Sequence, residues 1–462
     1  MGEVNLPGGS AATVEASPRV APMRRVATAC LVGSAIEFYD FLIYGTAAAL
    51  VFPTVFFPHL SPAVATIASM GTFGAAFLSR PVGAAVFGYF GDHLGRKKTL
   101  VATLVIMALS TVTVGLVPST TAIGVAAPLI LVALRLMQGF AVGGHWAGSA
   151  LLSAEYAPAA KRGRYGMFTH LGGGTALVLN GLTFLGVNFT IGESSSAFMQ
   201  WGWRLPFLIS AGLIVIALYV WLKIDETPLF AEERAHHLVP KAPLAEVLHL
   251  QRREIALAGG SVLVSFGFVF MAGTYLTIYA HSHLGYSRNV ILFVGVLGGL
   301  ASIAFVALSA TLCDRVGRRR MMLVGWAGCL PWSFVVIPLV DTGNPILYAV
   351  AIMGMYAVAA IGSAPTAAFI PELFSTRYRY TGSALSVNLA GVIGGALPPL
   401  IAGTLLATYG SWAIGLMLAT LALVSLVCTY VLPETNGTAL RTTEGVHVGH
   451  EPAELELPSG GR

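Results

Sequence analysis

Three observations predict an all-α membrane protein with twelve transmembrane helices in two related, pseudo-symmetric six-helix bundles. The first is composition: 56% of the 462 residues are hydrophobic and 10% are charged, with a mean hydropathy of +0.77. A soluble domain carries about 25% charged residues, so a chain this poor in charge takes lipid as its main solvent. The second is a count of twelve apolar stretches separated by polar or Gly/Pro turns. The third is a repeat: Gly91-Asp92-His93-Leu94-Gly95-Arg96-Lys97-Lys98 returns as Cys313-Asp314-Arg315-Val316-Gly317-Arg318-Arg319-Arg320, each copy between two apolar stretches. A bundle written twice has an interface between its halves. Rocking the halves about that interface exposes a central site to each side in turn, which is the architecture of a secondary transporter.

The stretches cover 26–52, 63–90, 99–117, 123–153, 165–190 and 203–222, then 254–280, 289–311, 321–340, 346–370, 382–408 and 411–432. About 20 helical residues span a hydrocarbon core of ~30 Å. Basic residues set the orientation. With alternating spans, 22 of the 26 Lys and Arg fall on one side; the exceptions are Arg80, Arg135, Arg204 and Arg288. An odd number of spans would destroy this asymmetry, so both termini are expected in the cytoplasm. The predicted organisation is a cytoplasmic tail (1–25), a bundle (26–222), a cytoplasmic linker (223–253), a second bundle (254–432) and a second cytoplasmic tail (433–462).

The net charge of +5 comes from short basic clusters between apolar spans, which membrane topology explains and nucleic-acid binding does not. The four cysteines lie in or beside apolar spans, so no disulfide framework is expected. The first twenty residues are polar and small, and the first apolar run is too long for the core of a signal peptide. The duplication also shows in Ala154-Glu155-Tyr156 through Arg164-Tyr165, echoed by Pro371-Glu372-Leu373 through Arg379-Tyr380. Glu226-Thr227-Pro228 and Pro433-Glu434-Thr435 each follow a sixth span.

These residues resemble the major facilitator superfamily, and within it the metabolite:proton symporter branch. The Asp-x-x-Gly-Arg-basic loop is similar to the superfamily's cytoplasmic gate motif, and Arg135-Leu136-Met137-Gln138-Gly139 to its fourth-span motif. Narrower marks are Glu37-Phe38-Tyr39-Asp40-Phe41, Arg80-Pro81-Val82-Gly83, Trp203-Arg204-Leu205-Pro206-Phe207 and Glu372-Leu373-Phe374-Ser375-Thr376-Arg377. The resemblance covers nearly the whole chain and implies proton-coupled symport of a small organic solute by a monomer in the cytoplasmic (inner) membrane. Shikimate, di- and tricarboxylates, 2-oxoglutarate, proline and betaine are the substrates it implies. Tyr39 through Phe52 is most similar to shikimate-type members. No cofactor is implied beyond the proton gradient. Two positions depart from the pattern: His145 stands where relatives carry Glu, and His93 where they carry Arg.

Ionisable side chains at bilayer depth cost about 2.5–3.5 kcal/mol each on insertion scales, so each needs a partner or a cavity. Glu37 lies twelve residues beyond Arg25, ~18 Å along a helix, and Arg80 lies the same distance before Asp92. Asp40 is a turn deeper and Arg135 somewhat past the middle. Glu37, Asp40 and Tyr44 share one helical face by their spacing, and Arg135, Gln138 and His145 share a stripe.

Two acids and two arginines at similar depth can neutralise one another. The functional reading makes Asp40, Glu37, Arg135 and His145 the proton-coupling set. Arg80 would hold a substrate carboxylate, since a guanidinium offers a planar fork of donors. The other reading is a static ion-pair network. His145 is either a pH-sensitive partner of Glu37 or Asp40, or a neutral histidine bonded inside the bundle. Tyr44, Gln138, Tyr275, Tyr279 and Asn388 are candidate substrate contacts; for the two span-7 tyrosines, packing is the competing explanation.

Asp92 and Asp314, at helix ends, are expected to pair with Arg96 and Arg318 and with helix N-termini, latching the cytoplasmic side. Glu155 and Glu372, with Arg164 and Arg379, supply matching charges. Small residues (Gly71, Gly74, Gly139, Gly143, Gly172–Gly174, Gly391, Gly394 and Gly395) are expected to let helices approach closely. Gly172–Gly174 lacks the strand and Lys-Ser/Thr of a phosphate loop, so ATP-driven pumping is not expected. His281 and His283 lack a third ligand for a metal. No nucleophile–base pair points to an enzyme. The rival within transport is a proline/betaine carrier, whose zwitterion would place its carboxylate on the same arginines.

Overall fold

The computed structural model describes residues 23–192, 195–222, 243–375 and 378–437. Twelve long helices run through them. In the first half these are α1 (Met23–Leu50), α2 (Pro62–Leu94), α3 (Arg96–Leu116), α4 (Ala126–Tyr156), α5 (Arg162–Ile191) and α6 (Leu205–Leu222). In the second they are α7 (Arg252–Ser282), α8 (Arg288–Val316), α9 (Arg318–Asp341), α10 (Pro345–Glu372), α11 (Arg379–Tyr409) and α12 (Ser411–Val431). Each expected apolar stretch coincides with one helix, and among the described residues there is no strand. Eleven are long and apolar enough to cross a membrane; α6 is the shorter twelfth. The expected tails up to residue 22 and from 438, Glu226-Thr227-Pro228 and most of the linker (223–242) lie outside the described residues. The last part of the linker forms a short helix, Pro243–Leu250.

The repeat is written into the backbone as well as the sequence. Gly95 joins α2 to α3 at φ 109°, ψ 152°, and Gly317 joins α8 to α9 at φ 108°, ψ 141°. That region is essentially closed to residues with a Cβ. A single glycine therefore reverses the chain between two long helices, in the same way in both halves.

Three helices are interrupted. Single π-helical turns fall at Met271–Tyr275 in α7 and Gly391–Ala396 in α11. In α10 the helix breaks between Ser363 and Thr366, at Ala364-Pro365. Such interruptions concentrate at functional sites in helical membrane proteins.

Helix contacts rest on missing side chains. A Cβ on Gly139 would lie 1.9 Å from the carbonyl oxygen of Ala76, and one on Gly83 1.9 Å from that of Phe140, so α2 and α4 touch backbone to backbone. This crossing fixes Arg80 beside the stripe of Arg135, Gln138 and His145. Between the halves, Gly174 of α5 and Gly299 of α8 do the same: a Cβ on either falls within 3.1 Å of the other's carbonyl oxygen. Gly71 departs from the expectation, since a Cβ there would meet nothing within 4 Å. It points outward from α2, where close approach is not needed.

Candidate functional site

A cavity of about 110 Å³ lies where the two halves face each other. The first half lines it with Glu37, Phe38 and Phe41 of α1, Arg80 of α2, Trp146 of α4 and His170 of α5. The second contributes Ser265, Phe266 and Phe270 of α7, Ser302 of α8, Tyr356, Ser363 and Thr366 of α10, and Asn388 of α11. Cavity, charge and interrupted helices therefore coincide.

The neighbouring helices divide the expected charge cluster in two. At about 100° per residue, Phe41 lies about 40° to one side of Glu37 and lines the cavity with it. Asp40, about 60° to the other side, and Tyr44, two turns further along, instead bond to Thr111 and Thr72 inside the first bundle. Glu37 meets His145, whose Nδ1 is 2.6 Å from the carboxylate Oε2. Of the two partners expected for His145, the structure brings it to Glu37.

Asp40 belongs to a separate chain of hydrogen bonds. The Thr111 hydroxyl of α3 donates to its Oδ2 at 3.0 Å; Gln138 Nε2 donates to Thr111 at 2.6 Å; Arg135 Nη1 donates to Gln138 Oε1 at 2.8 Å. All four side chains are buried. Thr111 is absent from the sequence-based set. Its only signal is a hydroxyl pair, Ser110-Thr111, inside an apolar span.

The two arginines flank one ring. Arg80 and Arg135 place their guanidinium carbons 4.5 and 4.4 Å from the centroid of Phe41, with Arg80 also 4.5 Å from Phe77 and Arg135 4.0 Å from Tyr44. Cation–π contact stabilises each in a site short of water. The difference between them is chemical. Arg135 is engaged by Gln138, whereas Arg80 lines the cavity and, among the described residues, makes no ion pair or hydrogen bond.

Several expected substrate contacts are elsewhere. The Tyr44 hydroxyl donates to Thr72 at 2.8 Å, away from the cavity lining. Gln138 is consumed by Arg135 and Thr111. Tyr275 and Tyr279 stack on each other at 6.2 Å, and Tyr279 donates to Asp341 at 2.7 Å, so their i, i+4 spacing serves packing in this conformation. Asn388 does line the cavity, while its Nδ2 donates to the Gly143 carbonyl of the other half at 2.7 Å. His170, Trp146, Tyr356 and Thr366 line it too and were missed, because a lone polar residue in an apolar span carries no spacing signal.

The end of the molecule that carries the repeated motifs is bridged by them. Asp314 accepts from the backbone N–H groups of Gly163 and Arg164, both at 2.9 Å. A carboxylate of one half thus caps the N-terminus of α5 in the other, where the helix dipole favours negative charge. Its mate Asp92 accepts from the Thr381 hydroxyl at 2.7 Å, in the first turn of α11.

Arg318 pairs with Glu372 and lies 3.8 Å from Asp314, and Arg162 Nη1 donates to Glu372 at 3.3 Å. Arg162 supplies a side chain to Glu372 that the sequence did not single out. Arg379 donates to the carbonyls of Pro371 and Phe374. Glu155 sits in the last turn of α4, and the side chain of Arg96 lies outside the described residues. On the opposite side, Arg288 donates to the Leu50 carbonyl at 3.2 Å and Asn188 to Asn289 at 3.0 Å, again across the halves. Among the described residues no group of three or more His, Cys, Asp or Glu could hold a metal.

The profile of the Major Facilitator Superfamily matches residues 31–399. The chain belongs to the major facilitator superfamily. It is therefore a multi-pass membrane transporter and not an enzyme. It is 39% identical over 422 residues to the "Inner membrane metabolite transport protein YhjE" of Escherichia coli K12, covering 90% of this chain and 95% of that one. It is 35% identical over 402 residues to the "Shikimate transporter" of the same strain, covering 84% and 89%. Among solved structures, the proton:xylose symporter XylE with bound 6-bromo-6-deoxy-D-glucose superposes with a TM-score of 0.69. It covers 90% of this chain and 97% of that one at 18% identity, a likeness of fold alone. In this facilitator the bonds of the two repeated loops join the halves on one side, and the cavity lies between the bundles.

Proposed function

We propose that this facilitator is a proton-coupled symporter of a small organic acid carrying a single carboxylate and hydroxyl groups, similar to shikimate. The observation that carries this reading is Arg80: a guanidinium on the wall of the central cavity that, among the described residues, makes no ion pair within 4 Å, Glu37 on the same wall attracting it from further off. A planar fork of donors held ready in a desolvated site suits a carboxylate. One such group suits one negative charge, which favours a monoanion over a di- or tricarboxylate. Hydroxyls and amide on the remaining walls (Ser302, Tyr356, Thr366, Asn388) suit a hydroxylated ring, with Phe266 and Phe270 against its apolar parts.

Glu37 with His145, and Asp40 with its chain to Arg135, are the proton-carrying groups in this reading. Both are buried, one at the cavity and the other a turn away inside the first bundle. The domain borders are read from the twelve apolar stretches, and the cytoplasmic location of both termini from the distribution of Lys and Arg. A betaine-like zwitterion would have to rest its cation on aromatic rings of the wall such as Trp146, Phe266 and Phe270, since Glu37 is already engaged by His145; the hydroxyl and amide groups beside those rings are what favour the hydroxylated acid.

Uptake of radiolabelled shikimate into proteoliposomes with an inward proton gradient tests the reading. Accumulation that collapses with the gradient and is competed by other hydroxylated monoacids is expected. Preferential accumulation of betaine or succinate overturns it.

A further inference from the structure

His170 and Thr366 face each other across the two halves on the cavity wall. The imidazole Nε2 lies 2.9 Å from the Thr366 hydroxyl oxygen, α5 to α10. Thr366 has one proton and donates it to the Ser363 carbonyl at 2.6 Å. Nε2 must therefore be the donor. A neutral imidazole that donates through Nε2 is an acceptor at Nδ1, and Nδ1 has no partner among the described residues on a side chain that lines the cavity. One turn toward the cytoplasm, Gly166 packs against Ala367, where a Cβ would lie 3.3 Å from the alanine's, so the same two helices are already in contact. The bond sits eight residues into α5, about 12 Å along the helix from the Arg162–Glu372 pair.

We propose that His170 is a substrate-contacting residue that accepts a hydroxyl of the transported acid at Nδ1, and that its bond to Thr366 makes an occupied cavity favour a closed cytoplasmic floor. Linked hydrogen bonds polarise one another. A hydroxyl donated to Nδ1 draws electron density from the ring and strengthens the Nε2 donation to Thr366. The occupant thereby tightens a contact between the halves without reaching the cytoplasmic latch. The hydroxyl-accepting role rests on the organic-acid reading above; the cross-half bond does not.

A built-in reporter exists. Cys313 is buried against the first turn of α5, where a Cβ on Gly163 would fall 2.3 Å from its sulfur. With Cys30, Cys329 and Cys428 changed to serine, the rate of Cys313 alkylation by N-ethylmaleimide in the full-length, reconstituted protein measures opening of the cytoplasmic side. Thr366→Val is expected to raise that rate several-fold with no solute present. Shikimate is expected to slow it in the parent and not in Thr366→Val.

His170→Gln keeps a terminal N–H for Thr366 and removes the Nδ1 acceptor. It should keep the solute-free rate and bind shikimate about tenfold more weakly, with cyclohex-1-ene-1-carboxylate, the hydroxyl-free analogue, unaffected. Alkylation of Thr366→Val at the parent rate overturns the latch. Unchanged shikimate affinity in His170→Gln overturns the contact. If the parent binds neither compound, the organic-acid reading falls together with the contact, while the Thr366→Val rate still decides the latch.

Discussion

Replacing Arg80 by alanine removes the cavity guanidinium that makes no ion pair within 4 Å among the described residues, while Arg135 remains bonded to Gln138. A hydrogen bond to a charged group contributes about 1.5–3 kcal/mol net. At about 1.4 kcal/mol per decade, loss of the carboxylate contact weakens binding roughly 10- to 150-fold. Arg80 rests on the faces of Phe41 and Phe77 rather than bridging helices through an ion pair, so truncation leaves the α2–α4 backbone contact in place. Arg80→Lys keeps the charge but loses the fork and should recover only part of the affinity. The assay is calorimetric titration of purified protein with shikimate and with its uncharged amide. The acid should lose affinity in Arg80→Ala and the amide should change little. Equal losses for acid and amide, or no loss for either, would refute the assignment of Arg80 to the carboxylate.

Asp40→Asn keeps an acceptor for Thr111 and removes a titratable carboxyl. It is expected to retain substrate-for-substrate exchange and to lose proton-driven accumulation, read by comparing counterflow with gradient-driven uptake. Glu372→Gln leaves buried Arg318 with only the longer contact to Asp314, at 3.8 Å. Breaking one side of a buried pair costs about 3–5 kcal/mol, so faster alkylation of Cys313 and an inward-open bias are expected. Gly317→Ala forces a Cβ into φ 108°. Strain of about 1–3 kcal/mol should lower the melting temperature in detergent, and Gly95→Ala, at φ 109°, should do so to a similar degree. Gly139→Ala places a Cβ 1.9 Å from the Ala76 carbonyl; overpacking costs about 1–3 kcal/mol, measurable as a loss of monodisperse protein on size-exclusion chromatography.

The architecture was legible because lipid imposes a coarse rule: about 20 apolar residues per crossing, with basic residues on one side. The latch was legible because its chemistry is local and duplicated. Asp314 and Gly317 stand in one loop, and the second copy in the first half identifies which features matter. The division of the charge cluster was not legible. Glu37, Asp40 and Tyr44 satisfy the spacing of one face, yet a 60° offset sends Asp40 toward Thr111 while Glu37 stays at the cavity. Only the position of α3 and α4 around α1 decides that. The same holds for Arg162 against Arg164: both are near the gate, and which one reaches Glu372 depends on the entry angle of α5. His170 and Thr366 come from helices almost two hundred residues apart in sequence and gain meaning only as a pair.

The most direct test is proton movement itself. With a pH-sensitive dye trapped in proteoliposomes that lack any imposed gradient, addition of external shikimate should acidify the lumen in the parent protein. The signal should disappear in Asp40→Asn while counterflow persists. Shikimate entry with no change in luminal pH, or acidification that survives in Asp40→Asn and in Glu37→Gln alike, would contradict proton-coupled transport through this buried charge cluster.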